Sequence, residues 1–158
     1  AFNDLGLVLL MQNKVPRAVA AFEKAVALNP DYAGAHLNLA QILKRKTPQK
    51  ALAHALRAGM LWPEDPRPHI LAGEILALLG RADEAINHYH KAADLRPDNP
   101  DLFYRLACLY ARQNDKNMAV ETLKKAVENG FNNRHRLKNN KDFENIHHTD
   151  YYQQLVSK

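Results

Sequence analysis

Four alanines, Ala18, Ala51, Ala85 and Ala119, stand 33 or 34 residues apart, and other columns keep step with them. A small residue precedes each one, at Gly6, Ala40, Gly73 and Ala107. Phe22, Ala55, Tyr89 and Leu123 follow four positions later, then Ala25, Ala58, Ala92 and Ala126. Pro30, Pro63 and Pro97 close the first three copies, and Phe131 stands where a fourth proline would. A period of this length marks a repeat array. One unit cannot bury its apolar face alone, so neighbours must stack.

The stretch 66–99 shows what one unit is. Ile70, Leu71, Leu76 and Leu79 recur at helical spacing and run into Gly80. A second periodic segment, Ala85, Ile86, Tyr89, Ala92 and Ala93, ends at Leu95-Arg96-Pro97. The reading is a helix, a tight turn, a second helix and a proline stop. The columns then acquire physical roles. The small residue in the first helix lets the second approach, and the alanine of the second fits against that site. The large residue four positions on fills the gap between helices. Proline ends the unit because it is not tolerated in a helix interior and disfavours α at the residue before it.

These columns resemble the tetratricopeptide repeat family, whose signature is W-x2-L-G-x2-Y, then A-x3-F, A and P. The resemblance covers residues 1 to about 131. It implies an all-α fold: a right-handed superhelical solenoid of about four helix-turn-helix units, 1–32, 33–65, 66–99 and 100–133, with a C-terminal capping segment at 134–158. Repeat two is one residue short at its turn, where Thr47 is the expected N-cap and Pro48 the first helical residue. Gly130 stands at the expected end of the last array helix. Beyond it the periodicity stops. A helical turn is expected at 134–138, a short turn packing Phe143 and Ile146, and a last helix at 151–156 capped by Thr149 or Asp150. Tails of this type resemble those closing many bacterial repeat proteins, which implies a bacterial source.

At 158 residues, 46% hydrophobic and 25% charged, one soluble domain is the simplest count. The single cysteine, Cys108, excludes an internal disulfide and any cysteine-based zinc site. No apolar run approaches the roughly 18 residues that span a bilayer. No signal peptide is visible either; direct membrane insertion is not expected, and a soluble chain, cytoplasmic or periplasmic, is expected with the compartment left open. The chain starts without Met and inside a helical pattern, which suggests a piece of something longer. The net charge of +5 is local, at Lys44, Arg45, Lys46 and Lys50 and again at Arg134, Arg136, Lys138 and Lys141. No aromatic residues interleave with either cluster as a stacking platform requires. Solvated loops are therefore the preferred reading over nucleic acid.

Function is expected on the first helices, which by resemblance line the concave groove. Asn3, Asp4 and Leu7 come from repeat one, and Leu37, Asn38, Gln41 and Lys44 from repeat two. Arg67, Ile70, Leu71, Glu74 and Leu78 come from repeat three, and Tyr104, Arg105, Cys108 and Arg112 from repeat four. The family's chaperone-binding carboxylate clamp matches fully only at Asn38, with Arg67 a loose match. Its asparagine ladder would read Asp4, Asn38, Leu71, Arg105, one true rung in four. There is no Gly-rich phosphate loop, no HExxH and no GxSxG. Of the eight histidines, His36 and His69 fall in a packing column and read as structural. No catalytic residue, metal ligand or cofactor is assigned. The expectation is a non-enzymatic scaffold or adaptor holding a protein or peptide segment. Asn38 and Gln41 bond its backbone, Leu37, Ile70 and Tyr104 take its apolar side chains, and Arg67, Arg105 and Arg112 take its acids. The alternative is the repeat portion of a larger enzyme or membrane-associated assembly, such as a glycosyltransferase.

Overall fold

The computed structural model describes residues 1–157, and no strand occurs among them. Eight helices follow the periodicity in pairs: α1 (Phe2–Met11) with α2 (Val15–Leu28), α3 (Ala33–Leu43) with α4 (Pro48–Leu61), α5 (Pro66–Leu78) with α6 (Ala82–Leu95), and α7 (Pro100–Arg112) with α8 (Lys116–Glu128). The tail adds α9 (Arg134–Lys138), a 3₁₀ turn (Lys141–Ile146) and α10 (Asp150–Ser157).

The turns show why the chain breaks where it does. Asn13, Gly80, Asn114 and Gly130 all have positive φ, at 57°, 74°, 60° and 100°. At each, the next residue's N–H reaches back five residues: Lys14 to Leu9, Arg81 to Leu76, Asp115 to Tyr110 and Phe131 to Ala126. This is the Schellman closure, which satisfies carbonyls a helix end leaves open. Repeat two lacks one residue here and cannot make it. Instead Thr47 N–H bonds the Leu43 carbonyl four residues back. Thr47 is the N-cap of α4 with Pro48 behind it, as expected, but its side chain caps nothing. Its Oγ1 is buried without a hydrogen-bond partner.

The chain divides into two compact units rather than the single domain expected from length. The first is Ala1–Arg81, and the second begins at Ala82. In the first, Leu9, Ala18, Ala21, Phe22 and Leu39 form a core cluster. The column logic holds at Gly6, where an added Cβ would lie 2.5 Å from the Phe22 ring. Between α3 and α4 both partners are small, and Ala40, Ala51, Ala55 and Ala58 are all fully buried. In the second unit, Tyr104, Ala107, Cys108 and Ala111 of α7 pack with Ala119, Leu123 and Ala126 of α8. Phe131, just past α8, and Leu137, Phe143, Ile146 and Tyr152 of the tail join the same cluster. Phe143 and Ile146 are fully buried, and Tyr152 N–H donates to Thr149 Oγ1, the cap of α10.

Candidate functional site

In the first unit, the first helices of the pairs carry a face of half-buried and exposed side chains. Asn38 on α3 donates from Nδ2 to Asn3 Oδ1 on α1 at 2.9 Å. Asn3 is buried and Asn38 half-buried. This bond fixes the Asn38 amide while its Oδ1 and second N–H keep their capacity. One turn along, Gln41 is exposed, and Leu37, the residue before Asn38, is half-buried. Lys44 Nζ contacts Gln41 Oε1 at 3.2 Å and Glu74 of α5 at 2.7 Å. The latter pair is about four-fifths buried on both sides, so it is screened less than an ordinary surface pair. Ile70 is half-buried on α5.

The other first-unit candidates are placed differently. Asp4 is exposed and pairs with the chain's own amino terminus, which lowers its carboxyl pKa. Arg67 curls back onto Asp65, with Nε 2.9 Å from Oδ2, and lies over the Trp62 ring. The guanidinium holds the Asp65 carboxyl below its usual range, and Asp65 raises Arg67 in return. Arg67 is thus engaged at the start of its own helix, where Asp65 also caps the Arg67 N–H. Leu71 is only 5% exposed and belongs to the core.

In the second unit the structure corrects the expectation. Tyr104, assigned to a ligand's apolar side chains, is 2% exposed. Its ring stacks on Phe131 at 4.4 Å and meets Phe143 edge-on at 5.7 Å, with Arg136 4.2 Å above it. The tail covers this face of α7. Asn140 Nδ2 reaches Tyr104 Oη at 2.8 Å and Cys108 Sγ at 3.1 Å. Arg112, assigned to ligand acids, makes a two-pronged pair with Asp142 at 2.8 and 2.9 Å. Arg136 pairs with Asp101. Arg105 is half-buried. Burial, then the neighbouring Cys108, pushes Tyr104 up to about 12. Burial, then the charge of Asp142, pushes the Cys108 thiol up to about 11. Both shifts keep these groups protonated and disfavour a nucleophile or base. Asn140 and Asp142 had no periodic signal to flag them. Only the helix-starting pattern Asn140-x-Asp142 hints at their role.

Two histidines that the repeat columns do not pair also meet. His36 on α3 and His54 on α4 approach through their Nδ1 atoms at 2.9 Å. Among the described residues, no group of three or more His, Cys, Asp or Glu is placed to hold a metal. No helix there is long and apolar enough to cross a membrane.

The paired helices and their column packing invite comparison with known repeats. A model described as TPR repeat matches residues 2–46 and 73–114, together more than half of the chain. A second, described as tetratricopeptide repeat, matches 100–129. The chain belongs to the tetratricopeptide repeat family. Human protein O-mannosyl-transferase TMTC3 is 24% identical over 132 residues, covering 82% of this chain and 14% of that protein. The UDP-N-acetylglucosamine–peptide N-acetylglucosaminyltransferase of Giardia intestinalis is 33% identical over 104 residues, covering 65% of this chain and 7% of that protein. The chain therefore spans only a small part of these relatives. Among solved structures, MamA of Desulfovibrio magneticus RS-1, residues 41 to the end, superposes with TM-score 0.75 at 26% identity, covering 80% of this chain and 72% of that one. Another MamA structure gives 0.85 at 16% identity, covering 96% and 90%. YrrB, described as a TPR protein with an unusual peptide-binding site, gives 0.80 at 15%, covering 98% and 80%. At these identities the last two show a shared tetratricopeptide fold and nothing finer.

Proposed function

We propose that the chain is a non-enzymatic binding module that holds an extended peptide or amphipathic helix against the α1, α3 and α5 face of its first unit. The observation that carries this reading is the fixed Asn38 amide. It is held by Asn3 at 2.9 Å and stands one turn from exposed Gln41. An amide held in place loses less freedom on binding a peptide backbone than a mobile one. Half-buried Leu37 on α3 and Ile70 on α5 are the apolar side chains offered to a ligand. YrrB, of the same fold, is described as having a peptide-binding site. The glycosyltransferase alternative rests on relatives of which the chain spans 14% and 7%, and is not favoured.

The test is a peptide-library screen by fluorescence anisotropy, repeated with Asn38→Ala and Ile70→Asp. The expected result is at least a tenfold loss of affinity in each for the peptides selected, which is about 1.4 kcal/mol. Peptides that bind both variants as tightly as the parent would place the site elsewhere.

A further inference from the structure

The His36–His54 contact joins three parts of the first unit. His36 lies on α3, 7% exposed, and His54 is half-buried on α4. The second ring nitrogen of His36, Nε2, stands 2.9 Å from the carbonyl oxygen of Pro30, in the link between α2 and α3. A carbonyl only accepts, so His36 Nε2 carries a hydrogen. That leaves one hydrogen for the two facing Nδ1 atoms, 2.9 Å apart. With both rings neutral, His54 donates and His36 accepts. One added proton is tolerated: His36 becomes the donor and His54 turns its remaining hydrogen to Nε2. A second proton is not. It puts two N–H groups face to face with like charges at hydrogen-bond distance.

We propose that this pair is an acid-sensitive latch fastening the α2–α3 link to α3 and α4, closed when it holds at most one added proton and opened by the second. It does not depend on the peptide-binding reading. The charges around it support this range. Glu23 on α2 is the acid that favours a proton on His54, while burial and His36 oppose it more strongly, so His54 lies below its ordinary 6.5. Arg57, also on α4, ties down Asp31 of the same link, so a second fastening persists where the latch opens. On α5, Arg67 and Glu74 are engaged by Asp65 and Lys44. His69 lies beside Gly59 of α4, five residues along from His54.

The sign follows from linkage. A base whose folded pKa is depressed binds fewer protons folded than unfolded. Its contribution therefore begins to fall as pH drops through the unfolded value of 6.5 and is fully lost below the folded one. The experiment compares melting temperature at pH 7.5 and 5.0 for the full chain and for His54→Gln, which keeps a neutral hydrogen-bonding group beside His36. The other histidines are present in both proteins, so the difference isolates what His54 adds beside His36. The parent is expected to lose about 2–4 °C more than the variant over this interval. In the parent, the imidazole nitrogen resonances of His54 should titrate below 6.5, with the Nδ1–Nδ1 hydrogen bond to His36 lost over the same step. Equal losses in the two proteins, or a His54 titration at or above 6.5, would overturn the proposal. A His54→Gln chain that fails to fold leaves the titration of the parent to decide it.

Discussion

At position 6 a single hydrogen atom sets how closely α2 lies on α1. A Cβ there would stand 2.5 to 2.8 Å from three carbons of the Phe22 ring, and Phe22 is fully buried. Two effects oppose each other in Gly6→Ala. Replacing a helical glycine gains about 1 kcal/mol. Overpacking a filled core costs about 1–3 kcal/mol. The ring is enclosed on all sides, so it cannot swing away and the cost should win. Chemical denaturation of Gly6→Ala should show a net loss of about 1 kcal/mol or more, partly recovered in the double variant Gly6→Ala/Phe22→Leu. A Gly6→Ala chain as stable as the parent would mean that the two helices can part freely. The position was legible in sequence, because a small residue recurs in the column of Gly6 and Phe22 stands in the large-residue column that packs against it. The same logic reads repeat two correctly, where Ala40 faces a helix with Ala55 in the large-residue column.

Among the elements, helix starts differ more than helix bodies. Asp115 caps α8 by accepting from Met118 N–H at 3.0 Å, and Asn99 and Asp65 cap α7 and α5 in the same manner. Thr47 occupies the equivalent place before α4, yet its hydroxyl bonds nothing and is buried. The missing residue in this turn explains it. Without the Schellman closure, Thr47 N–H continues the helical pattern into Leu43, and the side chain is turned away from the next helix's open N–H groups. Residue type suggests a cap here, but the length of the turn decides the geometry. Asp115→Ala should therefore cost about 1 kcal/mol. Thr47→Val removes a buried hydroxyl with no partner and should be neutral or stabilise by up to about 1 kcal/mol. Paired thermal melts distinguish these outcomes, and a destabilised Thr47→Val would show that the hydroxyl has a role in the folded chain.

For the molecule as a whole, the tail was the least legible part of the site, though its elements were anticipated. Local helix and turn signals, rather than the repeat period, place a helical turn at 134–138 and bury Phe143 and Ile146. They do not say which face a non-repeating segment will cover. That segment covers α7, which is why Tyr104 and Arg112 belong to the fold of the second unit rather than to a ligand face. Two kinds of contact fasten it, and their magnitudes differ. Arg112 is 52% exposed in its pair with Asp142, where screening leaves about 1 kcal/mol or less. Phe143 is fully buried, edge-on to Tyr104 at 5.7 Å and 6.1 Å from Tyr152. Truncating such a ring costs about 3–5 kcal/mol. If the tail is held by its core, Phe143→Ala should lower stability several-fold more than Arg112→Ala in urea unfolding followed by circular dichroism. The salt sensitivity should appear only in the parent's comparison with Arg112→Ala. The reverse order would make the tail a charged strap laid over α7. Tyr104 would then be releasable to a ligand, and the second unit would have a binding face after all.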